Sequence, residues 1–174
     1  MIFLDVDGEL TYSGYENPAT HHIDENKVIL LKEIVQSTNA IIVLSSSWKI
    51  GYDKETGVKR KYYQVLENTL NKYGLQIFDL TDDIPSEIIN YKPTESMSLE
   101  DITNIHCKYG TGRGAEVIKW ITDHNPESFV ILDDENHDWV DYGLKDNWIR
   151  PSWYDKDGGL HREHVEKAIE ILNA

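Results

Sequence analysis

An α/β domain built on a mostly parallel five-stranded sheet is the fold class this sequence predicts, and three observations predict it. Short apolar runs alternate with segments of helical period along the chain, the pattern of strands joined by crossover helices. Three of those runs stop abruptly at polar clusters, Asp5-Val6-Asp7-Gly8, Ser45-Ser46-Ser47 and Asp133-Asp134-Glu135. At 174 residues the chain is long enough for one well-cored domain and short for two, so a single unit over 1–174 is expected.

The elements follow in order. Ile2 to Leu4 is a buried strand, and Gly8 lets the chain turn immediately after its acids. Asp24 is an N-cap for a helix whose inner face carries Val28, Leu31, Ile34 and Val35. Ala40 to Leu44, uninterrupted and β-branched, is the second strand. A turn-rich loop from Trp48 to Gly57 leads to a helix over about Tyr62 to Tyr73, closed by Gly74. Leu75 to Phe78 is the third strand. From Thr81 to Tyr109, Pro85, Pro93 and scattered apolar residues give no assignment beyond a loop or a modest lid. A helix over Arg113 to His124, a strand over Phe129 to Leu132, a short strand at Trp148-Ile149 and a helix over His161 to Leu172 complete the chain.

Composition excludes several classes. Apolar residues make up 40% and charged residues 28%, neither a disordered nor a membrane composition. No apolar stretch approaches a membrane span, no basic segment precedes the first strand, and Cys107 has no disulfide partner, so a cytoplasmic protein is expected. The formal charge of −14 disfavours passive attraction to a phosphate backbone. Lys54, Lys59, Arg60 and Lys61 form a local exception that fits a solvated loop or a phosphate-facing rim. His21, His22, His106, His161 and His164 match no familiar zinc spacing. No apolar stripe stands apart from the expected core, so no protein partner is evident.

Parallel strands deliver their carboxyl ends to one edge, where open α/β sheets bind ligands. Asp5 and Asp7, two apart, project the same way if the strand continues. Two carboxyl groups so close resist joint ionisation unless a cation lies between them or one keeps its proton, so metal binding and acid/base chemistry are both implied. Asp133 and Asp134, adjacent at another strand end, both reach the same edge once the chain turns.

The set Asp5-Val6-Asp7-Gly8, the Ser-ended second strand, Arg113 opening a later helix and the Asp133-Asp134 pair resembles the haloacid dehalogenase (HAD) superfamily over residues 1 to about 150. That superfamily consists mostly of magnesium-dependent phosphatases and phosphotransferases on a three-layer Rossmann-like fold. The resemblance implies Asp5 as the nucleophile and Asp7 as the general acid and base. It implies Ser45 as the phosphate-binding hydroxyl, with Ser46 or Ser47 able to substitute, and Arg113, with Lys108 as competitor, as the cation that offsets the phosphate. Asp5, the Asp7 main-chain carbonyl and Asp134 would hold Mg2+, with Asp133 and Asp138 assisting through water or by orienting ligands. His137 and Asn136 read as turn residues. Ile42 to Trp48, Arg113 to Val117 and Val130 to Asp134 look most like the small members associated with Swiss Army Knife RNA repair, which implies a phosphorylated nucleic-acid end or nucleotide as substrate. Glu9, where such motifs are usually apolar, and Lys49, where Arg is common, depart from the pattern.

The interval from Gly8 to Ala40 is too short for a large cap, and an open site admits a bulky phosphorylated end. Tyr12, Tyr15, Trp48, Tyr52 and Trp153 fit either base stacking or core and rim packing. A small-metabolite phosphatase or phosphotransferase is the alternative enzyme, and a receiver-like module phosphorylated on Asp5 is the noncatalytic one.

Overall fold

The computed structural model describes residues 1–84, 98, 100, 101, 104, 105, 108 and 112–174. Its strands are β1 (Ile2–Leu4), β2 (Ile42–Leu44), β3 (Ile77–Leu80), β4 (Val130–Leu132) and β5 (Trp148–Ile149), and its helices include α1 (Glu25–Thr38), α2 (Lys61–Lys72), α3 (Gly112–His124) and α4 (Arg162–Asn173). The five strands form one parallel sheet in the order β3-β2-β1-β4-β5. The modest lid expected within Thr81 to Tyr109 lies largely outside the described residues.

Register explains the layers. Ile2 pairs with Ile42 and Val130, Phe3 with Val43 and Ile131, and Leu4 with Leu44 and Leu132. Side chains alternate across a sheet, so Ile2 and Leu4 with their partners face one side and the Phe3 row faces the other. The first side packs against Val28 and Leu31 of α1, Leu66 and Leu70 of α2, and Val165 and Ala168 of α4. Phe3, Val43 and Ile131 pack instead against Val117 and Trp120 of α3 and against Trp139. Strands covered on both faces carry no polar residue, which is why each reads as a continuous apolar run.

The helix ends follow local chemistry. Asp24 Oδ1 accepts from Asn26 N at 2.9 Å and caps α1, while its Oδ2 receives the Tyr12 hydroxyl at 3.1 Å. His161 and His164 form a reciprocal cap at the start of α4, with the His161 N–H donating to His164 Nδ1 at 3.0 Å.

Three strands differ from expectation in their bounds, β4 only in starting at Val130 rather than Phe129. β2 begins at Ile42 rather than Ala40, because Asn39 takes the left-handed conformation that closes α1 and the chain needs two further residues to enter the sheet. β3 runs over Ile77–Leu80 rather than Leu75 to Phe78. Gly74 has φ 78° and Leu75 N donates back to Leu70 O at 3.0 Å, so Leu75 terminates α2 instead of starting the strand. Asp79, hidden in that strand, accepts from Trp120 Nε1 at 2.9 Å and pairs with Lys54 at 3.0 Å.

The departure at Lys49 has a structural account. Its buried ammonium lies 2.6 Å from Glu116 Oε2 on α3 and 3.1 Å from Asp83 Oδ1, and it donates to Thr81 Oγ1 at 3.2 Å. Ile84 N donates to Glu116 Oε1 at 3.3 Å, so this buried pair ties the chain after β3 to α3. Removing one partner of a buried pair leaves the other charge uncompensated. Glu116→Ala is therefore expected to cost ~3 kcal/mol in urea unfolding, and the double replacement Lys49→Met with Glu116→Leu to recover most of it.

Candidate active site

The row of residues that faces α3 continues past the strand ends into polar chemistry. Phe3 is followed on its face by Asp5, Val43 by Ser45, and Ile131 by Asp133. Backbone bonds extend the sheet to these positions, with Asp5 N donating to Leu132 O at 2.9 Å and Ser45 N to Leu4 O at 2.8 Å. Arg113, in the first turn of α3, reaches over the row. Its Nη1 lies 3.4 Å from Asp5 Oδ1 and 3.3 Å from Asp133 Oδ2, and it donates to the Ser45 carbonyl at 2.5 Å. The Asp123 carboxylate at the far end of α3, lowered chiefly by Lys119, also feels the charge of Lys108, the competing cation.

Asp5, Asp133 and Asp134 each offer an oxygen within 4.8 Å of the others. Gly8 permits this approach. Its φ is 94°, and a Cβ there would stand 2.4 Å from Asp134 Cγ, so only glycine allows the Asp134 carboxyl group to sit against the turn. The main chain after β4 is shaped by donors to its carbonyls: Trp148 Nε1 to Asp133 O at 2.7 Å, Arg150 Nε to Asp134 O at 2.8 Å and Trp139 Nε1 to Glu135 O at 2.9 Å.

Crowding shows in the acidities. Burial raises Asp133 to about 8, with the Asp5 charge adding to it and Arg113 opposing. Asp134 is raised to about 6 by burial, then by Asp5 and Glu135. Asp5 is also raised by burial, against Arg113 and hydrogen bonds from Ser46 and the Val6 N–H. Burial lowers Arg113, but Asp5, Asp133 and Glu116 together push it up. The His137 imidazole, 3.6 Å from Asp133 Oδ1, is lowered by its own burial and by Arg113, and so belongs to the site's edge as well as to its turn.

Glu9 belongs to the same charged volume. It is fully buried, neither carboxyl oxygen has a partner, and burial together with Asp5, Asp133 and Asp134 raises it well above the usual carboxylate range. The protein thus gathers four carboxyl groups around one guanidinium. Such a donor set, oxygen only and in excess negative charge, fits a hard divalent cation such as Mg2+.

Asp7 is held apart from that trio. Thr11 Oγ1 donates to its Oδ1 at 2.8 Å and Trp48 Nε1 to its Oδ2 at 3.0 Å, turning the carboxyl group towards an open cleft. The side-chain trio is therefore Asp5, Asp133 and Asp134, and the Asp7 side chain is not part of it. Among the serines, Ser46 is bonded to Asp5 and accepts from Trp48 N at 3.3 Å, Ser45 Oγ is buried without a partner, and Ser47 is exposed. Asp138 stands at φ 61° in the turn before Trp139. Of the basic cluster, Lys54 pairs with Asp79 and Lys59 with Glu67 at 2.7 Å, which favours the solvated-loop reading. Tyr52 stacks on Tyr63 at 5.2 Å, whereas Tyr12, Tyr15, Trp48 and Trp153 line the cleft beside Asp7. Thr11, Trp48 as an Asp7 donor, Arg150 and Tyr62 were not distinguishable as site residues in sequence, because each acts through a contact that the topology creates.

No described helix is long and apolar enough to cross a membrane. The sequence model of one family, described as the HAD domain in Swiss Army Knife RNA repair proteins, matches residues 1–168. No curated protein and no solved structure matches the chain.

Two outcomes follow from this geometry. Protons held on Asp133 and Asp134 compete with a cation, so Mg2+ affinity should rise as pH increases from about 6 to about 8, with protons released on binding. Titration calorimetry in buffers of different ionisation enthalpy measures both; a pH-independent affinity contradicts the acid trio as the binding set. For Gly8→Ala, displacement of Asp134 should weaken Mg2+ binding by about ten-fold or more while the far-ultraviolet circular dichroism stays that of the native sheet.

Proposed function

Given that the chain belongs to the family of HAD domains in Swiss Army Knife RNA repair proteins, we propose that it is a magnesium-dependent phosphomonoester hydrolase that removes a terminal phosphate from a nucleic-acid end or a nucleotide. The observation that supports the reading most is the approach of Arg113 to Asp5, Ser45 and Asp133 at one sheet edge, where a phosphoryl group has a carboxylate to meet it and a guanidinium to neutralise it.

In this reading an Asp5 oxygen attacks phosphorus, the bond to the leaving oxygen breaks, and Asp7 gives that oxygen its proton. Water then attacks the aspartyl phosphate, Asp7 takes the water proton, and cleavage of the bond between phosphorus and the Asp5 oxygen releases inorganic phosphate and restores the carboxylate. The Thr11 and Trp48 donors keep Asp7 on the leaving-group side while it changes protonation. Arg113 binds non-bridging oxygens, Ser46 orients Asp5, and the partnerless Ser45 hydroxyl is the spare donor at that edge. Asp5, the Asp7 carbonyl and Asp134 would hold Mg2+, with Asp133 in support, and the ion supplies charge neutralisation for nucleophile and phosphate.

Turnover of an aryl phosphate and of 3′-phosphorylated oligonucleotides tests the proposal. Asp5→Asn should fall to background, and Asp7→Asn should lose about 10²–10⁴-fold in kcat. Equal, magnesium-independent turnover by Asp5→Asn and the unaltered protein rules the mechanism out. Added acceptor alcohols separate hydrolysis from transfer, and a long-lived phosphoryl group on Asp5 without turnover identifies a switch instead of an enzyme.

A further inference from the structure

A cleft of about 560 Å³ opens beside the Asp7 carboxyl group, walled by Tyr12, Tyr15, Trp48, Tyr62 and Trp153. We propose that it is the subsite for the leaving group and that it takes the base of a single terminal nucleoside. The proposal rests on the hydrolase reading for its direction, since the group Asp7 protonates departs on the Asp7 side.

Position, chemistry and charge point the same way. Trp48 Nε1 bonds to Asp7 Oδ2 at 3.0 Å, so the aromatic wall begins where the leaving oxygen would be released. Its volume lies in the range of small-molecule sites, and its rings are the platform on which bases of any sequence stack. The rings are held before a ligand arrives. Trp48 meets Tyr62 edge to face at 5.7 Å, Tyr12 lies 6.0 Å from Tyr15, and the Tyr12 hydroxyl is tied to the α1 cap at Asp24. His21 and His22 also line the cleft, His21 as the left-handed residue that closes the 3-10 turn over Pro18–Thr20.

Charge then selects among ligands. Among the described residues, the lining includes the carboxyl groups of Asp7 and Glu16 and no lysine or arginine. A second phosphate or a sugar phosphate would meet repulsion there, whereas an uncharged heterocycle loses nothing. The chain as a whole carries −14, which disfavours an electrostatic hold on a polynucleotide beyond its last residue. The cleft therefore grips one nucleoside and leaves the rest of the strand in solvent.

The test compares kcat/KM for adenosine 3′-monophosphate, a 3′-phosphorylated oligoadenylate and glycerol 2-phosphate in the unaltered protein, Tyr15→Ala and Trp153→Phe. The unaltered protein should favour both adenine substrates over the glycerol ester, and Tyr15→Ala should shrink that preference about ten-fold. Mononucleotide and oligonucleotide should bind alike and with a shallow salt dependence; much tighter, steeply salt-dependent oligonucleotide binding would mean that the backbone is gripped elsewhere and would overturn the single-nucleoside subsite. Adenosine itself, without phosphate, should quench the intrinsic tryptophan fluorescence saturably, and Trp153→Phe should reduce the amplitude. If both ester classes turn over with an unchanged ratio in Tyr15→Ala, the hydrolase stands and the subsite falls. If no ester turns over, the hydrolase falls and adenosine quenching alone decides the cleft.

Discussion

Everything at the carboxyl edge of the sheet depends on the cost of crowding like charges where water is scarce. Asp5, Asp133, Asp134 and Glu9 share one volume with the Arg113 guanidinium, and burial raises the pKa of every one of the four. Such an arrangement works against folding in isolation, because carboxyl groups that ionise freely in the unfolded chain must hold protons here as pH rises. The sheet tolerates it because the strands beneath are apolar on both faces and packed between two helical layers. The stored unfavourable energy is also what makes the edge receptive to positive charge, since a cation or an extra donor relieves repulsion that the protein has already built in.

That field creates a problem for the phosphate ester that we propose as the substrate, which is itself an anion. Long-range attraction cannot bring it in, so recognition must be local: the Arg113 fork for the phosphoryl group, and neutral contacts for whatever carries it. The cleft beside Asp7 supplies contacts of the neutral kind. In the proposed reading, acidic and aromatic surfaces divide the work, one gathering charge for chemistry and the other offering adhesion that ignores charge. Trp48 belongs to both, through its ring in the cleft and its N–H on Asp7.

Sequence carried the parts of this design that rest on local pattern. The apolar runs of β1, β2, β4 and β5 and the caps at Asp24 and Gly74 were readable because strand burial and helix termination leave signals within a few residues. β3 was misplaced by two residues because Leu75 is spent on closing α2 and Asp79 breaks the apolar run while bonding Trp120. The ordered set Asp5, Ser45, Arg113 and Asp133-Asp134 was readable as a family resemblance, which the match over residues 1–168 bears out. Contacts across the fold left no such trace. Nothing near Lys49 announces Glu116, nothing near Thr11 announces its bond to Asp7, and nothing near Arg113 announces its approach to Asp5 and Asp133. Glu9 was legible only as an oddity; its meaning comes from sharing a buried space with residues more than a hundred positions away.

The pairing of Ile2 with Val130 sets the order in which the edge can come into being. β1 precedes the other four strands in the chain and is the central one in the sheet, yet β4, one of its two neighbours, follows it by more than a hundred residues. Until β4 arrives, Asp5 stands without Asp133 and Asp134, and Arg113 has no complete row to bridge. A chain in which β4 has not docked therefore keeps Asp5 apart from the other two acids of the trio. The acid cluster is assembled only when the sheet closes around β1.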